Sequence, residues 1–522
     1  MPAERPGALR SLARALRSWR TAAVALLSFA SGLPLGLVWI AIPDWMRSVG
    51  VDIRVVGLIT LAQAPWTFKF LWSPWMDRYP APFWGRRRGW IALAQVALFA
   101  CTLALAGLGD HPDTPWVVAA LALAIAFASA TQDIAYDAYT VDVLEPDEQG
   151  PAVGARTAIY RAAMYFAGAF SITLAGLYSW PLVLVILACL YLPFLLVTWK
   201  APEEKTDAPP PATLREAVWR PLVGLLARPR ALEILAFVVC YKLGDNLAQA
   251  LLRPFLIDMG YNAIDRGVAL GTGAMLGYSG GALVGGLLTT PMGLGRALWV
   301  FGLIQIVSNI GYIFVAESPV NRPLMYGAMS FESFTQGLGT GAFGVLLLRL
   351  TEKRFSATQY ALLSSLFGIP RVVTGPISGF AVDAMGWTAF FWLTMAVGLP
   401  GLVLLSRFVP LGAREPRLET APGPAVARRP LSRGGLAARA LAGAVIGTVG
   451  GALLSAALTA LKGMRATPPR PFDLGPPLAE ILRPATAAGW VAPIGVLVFG
   501  LVCGLVTAAV VAARRGVDQA TV

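Results

Sequence analysis

Asp133 and Asp137 stand four residues apart in an apolar run that begins near Trp116. On a helix that spacing is about one turn, so both carboxylates project from one face. Gln132, Tyr136 and Tyr139 beside them make that face polar. A charge at membrane depth costs roughly 3 kcal/mol or more, so these side chains must face protein or water rather than lipid. Burial and a like-charged neighbour favour a neutral carboxyl group, which suits a residue that takes up and releases a proton. Asp133 and Asp137 are therefore candidates for proton coupling, with Asp245 and Glu332, which lie in later apolar runs, next.

Four basic residues also fall inside apolar runs: Lys69 and Arg161 in the first half of the chain, Lys242 and Arg371 in the second. Each half can then neutralise its own buried charge, Lys69 and Arg161 against Asp133 and Asp137, Lys242 and Arg371 against Asp245 and Glu332. Lys242 and Asp245, three residues apart, can face each other on one helix. Two readings stay open. All eight are ion pairs that fix helix packing, or some line a central cavity, where the cations, with Gln132 and Tyr136, bind substrate carboxylates or serve as counter-ions.

Other chemistry is poorly provided for. His111 is the only histidine, and it lies in a short loop. Cys101, Cys189, Cys240 and Cys503 fall singly in apolar runs, without metal-ligand spacing. No metal, cofactor or nucleophile–base pair is expected, and an enzyme is not the reading. The net charge of +13 comes from Lys and Arg clustered in short segments between apolar runs. That is the pattern of the positive-inside rule and not of a nucleic-acid surface.

The elements that must position these residues are membrane helices. Of 522 residues, 56% are hydrophobic and 14% charged, against about 25% charged in soluble domains. A basic N-terminal segment (1–20) precedes six expected spans in 21–199. A charged, proline-containing linker (200–230) leads to six more in 231–409, at roughly 231–257, 266–290, 296–316, 323–350, 357–381 and 387–409. A basic segment (410–439), two further spans within 440–511 and a short tail (512–522) follow. The count is about fourteen spans of some twenty residues. The basic loop 77–88 places both termini and the linker in the cytoplasm. An internal repeat accompanies the layout: Pro43 before Gly50 and Gly57 is echoed by Pro254 before Gly260 and Gly267, and Thr131-Gln132 by Thr335-Gln336. The expected fold is all-α and polytopic, two six-helix bundles in the same orientation plus two C-terminal helices, the layout of major facilitator transporters.

Asp77, Gly85, Arg86, Arg87 and Arg88 resemble the D-x-x-G-R-R-R loop between spans two and three of that superfamily, with a longer spacing between Asp77 and Gly85. The resemblance implies a role for them in locking the cytoplasmic gate; read on charge alone, the three arginines simply set topology. Further blocks are similar to AmpG-type muropeptide permeases. They are Phe29-Ala-Ser-Gly-Leu-Pro-Leu35, Lys69-Phe-Leu-Trp-Ser-Pro-Trp-Met-Asp-Arg78, Gly85-Arg-Arg-Arg-Gly-Trp90, Gln132-Asp-Ile-Ala-Tyr-Asp-Ala138, Tyr241-Lys-Leu-Gly-Asp245 and Phe355-Ser-Ala-Thr-Gln-Tyr-Ala-Leu-Leu-Ser-Ser365. That resemblance covers about residues 21–409. It implies a monomeric bacterial inner-membrane importer, driven by the proton gradient, that moves N-acetylglucosaminyl-1,6-anhydro-N-acetylmuramyl peptides from periplasm to cytoplasm. Peptidoglycan recycling and β-lactamase induction would depend on it. Its partners would be the sugar-peptide, protons and membrane lipid, with no nucleic acid. A major facilitator with another cargo (acetyl-CoA, a siderophore or a peptide) and a non-transporting membrane receptor are the alternatives.

Overall fold

The computed structural model describes residues 8–52, 56, 60–111, 114–203, 210–417, 432–464, 471–484 and 488–515. Parts of the expected N-terminal segment, linker, basic segment 410–439 and tail lie outside these residues. Everything regular among the described residues is helical, as an apolar chain must be when lipid offers its backbone no hydrogen-bond partner. Among the described residues, ten helices are long and apolar enough to cross a membrane.

The first half contains α1 (Ala8–Arg17) and α2 (Trp19–Ser48), then short α3 (Ala64–Phe68) and α4 (Ser73–Arg78). Long helices α5 (Arg88–Ala106), α6 (Pro115–Val143), α7 (Pro146–Leu177) and α8 (Trp180–Lys200) complete it. After α9 (Leu214–Leu226), the second half opens with short α10 (Ala231–Cys240), α11 (Leu243–Ala250) and α12 (Leu252–Asp258). It continues through α13 (Ala263–Met292), α14 (Leu294–Glu317), α15 (Arg322–Leu350) and α16 (Ser356–Phe408). Helix α16 runs through two expected spans, which divide at Gly386, where φ is +76°.

Among the fourteen stretches expected to span, the second of the first six (about 55–76) and those at 231–257, 323–350 and 357–381 are missing from the ten. Their sequences explain it. The first two are interrupted helices, with Pro65 and Pro74 starting new segments in the first, and α15 carries Glu332 and Arg349 among many glycines. These same stretches contain Lys69, Lys242, Asp245, Glu332 and Arg371. Irregular or polar helices at membrane depth are tolerated where protein or water surrounds them.

Both halves belong to one compact unit, residues 1–217 with 233–418. Each half has its own apolar core. In the first, Trp45 stacks on Trp180 at 5.3 Å and donates to the Asp110 carbonyl at 2.9 Å. In the second, Phe255, Tyr312, Phe390 and Phe391 are fully buried together. The halves touch where α7 crosses α13 with almost no side chain between them: a Cβ on Gly286 would fall 2.6 Å from the Gly154 Cα.

A second unit comprises 218–232 and 419–522. Its helices α17 (Arg433–Met464) and α19 (Val491–Arg515) pack as a hairpin, with α18 (Gly475–Leu482) between them in sequence. Gly443 and Gly447 of α17 face Thr507 and Cys503 of α19, and Gly500 faces Thr448, the small-residue packing of membrane helices.

Candidate functional site: a cavity between the halves, a buried charge cluster and a closed basic end

A cavity of about 370 Å³ opens between the halves of the first unit. From α7 comes Arg161; from the second half come Lys242, Asn246, Gln249, Tyr278 and Gln336. Lys242, Asn246 and Gln249 follow one another at spacings of four and three, so α11 shows them on one face. The Arg161 guanidinium lies 4.5 Å from the centre of the Tyr278 ring. Among the described residues none of its contacts is an ion pair. Lys242 is 3% exposed, and its ammonium donates to Asp245 at 3.3 Å, to the Gln305 amide oxygen at 2.5 Å and to the Gln336 carbonyl at 2.9 Å. Glu332 lies behind the cavity wall, 1% exposed, and accepts from the Gln249 amide at 2.7 Å. Such a wall of amides and cations can hold a ligand with carboxylates and acyl carbonyls.

Asp133 and Asp137 are buried elsewhere, outside the lining of this cavity. Asp137 accepts from Lys69 at 3.1 Å and from Arg156 at 2.7 Å. Asp133 accepts from the Ser31 hydroxyl. Tyr136 donates its hydroxyl to the Val24 carbonyl at 2.7 Å and lies under the Arg156 guanidinium. Gln132 is fully buried, and its amide has no hydrogen-bond partner among the described residues. The guanidinium on Asp137 is thus Arg156 and not Arg161. Five residues turn a helix by about 140° beyond a full turn, so the two arginines of α7 face different neighbours. Arg156 also reaches the second half, where it donates to the Tyr360 hydroxyl at 3.3 Å. The Arg371 side chain lies outside the described residues.

At the end of the unit that carries the 79–88 loop, Asp77 is fully buried. It accepts from Arg87 at 2.6 Å, Arg86 at 3.3 Å, and both the backbone N–H (2.8 Å) and hydroxyl (2.7 Å) of Thr358 in α16. Arg87 donates as well to Asp142 at 3.0 Å and to the Ser356 hydroxyl at 2.8 Å. The first half is thereby tied to the second, and this end is closed. Gly85 turns the loop at φ +92°, a backbone that favours glycine, and packs against the Glu203 carboxylate. Arg88 holds Glu203 at 2.9 Å and the Ala201 carbonyl at 2.7 Å. Burial and the neighbouring Arg87 charge push Arg86 down to about 10. Burial also opposes the charge on Arg87, but Asp77 and Asp142 outweigh it and hold Arg87 above its usual value.

Arg156, Asn246, Gln249, Tyr278 and Glu203 are additions to the residues singled out from sequence. Gln249 left a signal that could have found it, a spacing of seven from Lys242 that puts both on one helical face. Tyr278 and Glu203 come from distant segments and carry no such local signal.

This geometry of two helical halves around a cavity, closed at one end, defines a membrane transporter. Residues 24–373 match the Major Facilitator Superfamily, and the chain belongs to it. It is 41% identical over 388 residues to the anhydromuropeptide permease of Escherichia coli (strain K12), which covers 74% of this chain and 79% of that one. A Haemophilus influenzae protein described as uncharacterized is 34% identical, covering 74% and 94% of the two chains. The putative transporter AmpG 4 of Rickettsia felis is 27% identical, covering 76% and 97%. Among solved structures, the E. coli fucose:proton symporter superposes with a TM-score of 0.61 at 13% identity, covering 75% of this chain and 99% of that one. The chain is therefore a multi-pass membrane transporter closely related to the AmpG permeases, and not an enzyme.

Proposed function

We propose that this transporter imports anhydromuropeptides, N-acetylglucosaminyl-1,6-anhydro-N-acetylmuramyl peptides, from the periplasm to the cytoplasm of a Gram-negative bacterium. The proton-motive force drives it, and the imported material enters peptidoglycan recycling and, in some bacteria, β-lactamase induction. The observation that carries the reading is the Arg161 guanidinium in the cavity, held on Tyr278 without a carboxylate partner among the described residues. A half-buried cation with no counter-ion among the described residues stabilises an anionic ligand group. A sugar-peptide supplies such carboxylates together with acetamide carbonyls for Asn246, Gln249 and Gln336. The identity to the anhydromuropeptide permease of E. coli supports the same cargo.

The basic loop at 79–88 supports a cytoplasmic location for the closed end, with both termini on that side of the inner membrane. The cavity would then load from the periplasm. Breaking the contacts of Asp77 with Arg87 and Thr358 would open it inward, as alternating access requires. Asp133, Asp137, Asp245 and Glu332 are the carboxyl groups at hand for proton coupling.

Uptake of labelled anhydromuropeptide into membrane vesicles, driven by an imposed proton gradient, tests this reading. Wild-type uptake that disappears with the gradient supports both cargo and coupling. An actively folded preparation that takes up none removes the muropeptide assignment. Asp133→Asn and Asp137→Asn variants, checked for folding, report whether these carboxylates participate.

A further inference from the structure

The buried carboxyl groups of the first unit differ in how their charge is met. Asp137 has Lys69 and Arg156, Asp142 has Arg87, and Asp245 has Lys242. Asp133 has the Ser31 hydroxyl, and neither residue is among those lining the cavity. Glu332 differs from all of these. Its Oε2 accepts from the Gln249 amide, its Oε1 is buried without a hydrogen-bond partner among the described residues, and none of its contacts there is an ion pair. Gln249 is itself part of the cavity wall. The groups that face Glu332 from neighbouring helices are Lys242 and Asp245 of α11 and Tyr312 of α14, and Lys242 is already engaged by Asp245, Gln305 and Gln336.

We infer that Glu332 takes up one proton when ligand binds, and that Gln249 links the two events by turning its amide over. This deepens the transport reading above and rests on it. In the ionised state Glu332 accepts from the Gln249 NH2, which leaves the Gln249 carbonyl oxygen toward the cavity. When Glu332 gains a proton from water, its carboxylate becomes a neutral carboxylic acid, and its O–H donates to the Gln249 carbonyl. The NH2 then turns to the cavity. A ligand group rich in acceptors, an acyl carbonyl or a carboxylate, hydrogen-bonds the second arrangement and finds only another acceptor in the first. Ligand and proton therefore favour each other, which is the sign symport needs, and by linkage each tightens the other by the same factor. When the ligand leaves, the amide reverts and Glu332 releases the proton. Gln249 is a positioning residue here, and Glu332 is the group that changes charge.

The test uses the purified full-length protein in weakly buffered detergent with a pH-indicator dye. Anhydromuropeptide is added and proton uptake read, while affinity is measured from mildly acidic to mildly alkaline pH. Wild type should take up protons on binding and bind more weakly as pH rises, by a factor in the range of about 5–150 typical of such coupling. Glu332→Gln should bind with neither proton uptake nor this pH dependence. Gln249→Met keeps the carboxyl group in place and should also lose the dependence, which covers the case where Glu332→Gln fails to fold. Unchanged proton uptake in either of these two variants overturns the assignment. Wild type that binds no anhydromuropeptide overturns the cargo reading instead, and the inference with it.

Discussion

Arg156 and Asp137 meet at 2.7 Å, and Lys69 approaches the other oxygen of the same carboxylate at 3.1 Å. One carboxylate thus serves two cations, buried Lys69 and half-buried Arg156, while Asp133, one turn earlier on α6, is held by a hydroxyl. Removing the central partner of a buried charge group leaves charges uncompensated, at a cost of about 3–5 kcal/mol. Asp137→Asn should therefore lower the thermal unfolding midpoint clearly more than Asp133→Asn. The double variant Lys69→Met/Asp137→Asn should recover part of the loss. Equal midpoints for the two single variants would show that Asp137 does not have this balancing role.

Within the basic loop, two adjacent arginines are predicted to behave differently. Arg87 is 1% exposed and bonded to Asp77, Asp142 and Ser356. Arg86 is held down to about 10 by burial and by the Arg87 charge, so its charge is a burden on the closed end at neutral pH. Its Nε and Nη1 are buried without hydrogen-bond partners among the described residues. Arg86→Gln should leave stability nearly unchanged or improve it, while Arg87→Gln should cost on the order of 3–5 kcal/mol. Chemical denaturation followed by tryptophan fluorescence would rank them, and the reverse order would refute this account of the loop.

In the cavity, Arg161 is the cation whose described contact is an aromatic face. Truncating one partner of a buried, hydrogen-bonded charge pair costs about 2–5 kcal/mol of binding. Arg161→Gln should weaken anhydromuropeptide affinity about thirtyfold or more by that measure, with the unfolding midpoint little changed because no ion pair among the described residues is lost. Tyr278→Phe keeps the ring and should weaken binding much less than Tyr278→Leu. Isothermal titration separates these cases. Wild-type affinity in Arg161→Gln would place the ligand's anionic group elsewhere.

How much of this could be read from the chain depended on the physical signal each residue left there. A charge in an apolar run is conspicuous because desolvation forbids it without a reason, so Lys69, Asp137, Lys242, Asp245 and Glu332 stood out, and Lys242 does meet Asp245 on its own helix. Uncharged polar residues give no such alarm, which is why Gln249 and Tyr278 went unremarked beside Lys242 and Arg161. Arg156 was passed over for Arg161 because hydropathy locates a span but does not say which face of α7 meets α6. Glu203 belongs to the linker by composition, yet Arg88 draws it onto the 79–88 loop. Ten of the fourteen expected spans are long apolar helices among the described residues, but hydropathy is blind to the breaks that leave α3, α4, α10, α11 and α12 as short segments.

The last prediction concerns the α7–α13 crossing, where Gly150 and Gly154 meet Gly286. A methyl group on Gly286 would run into the Gly150 carbonyl oxygen and lie 2.6 Å from the Gly154 backbone N and Cα. Those atoms are main chain, so no rotamer change can relieve the clash. Overpacking of this kind costs typically about 1–3 kcal/mol, and here it falls on a contact between the two halves rather than within either. A state in which the halves part near this crossing escapes the cost. Gly286→Ala should therefore shift the ratio of open to closed states at the basic end by about 5- to 150-fold, the equivalent of that energy. Spin labels at Asp147→Cys and Arg296→Cys, both exposed, would report it once Cys101, Cys189, Cys240 and Cys503 are replaced. A longer distance population that grows in Gly286→Ala, while each half keeps its helicity, is the expected result. An unchanged distance distribution in a folded variant would mean that this crossing stays closed throughout the transport cycle.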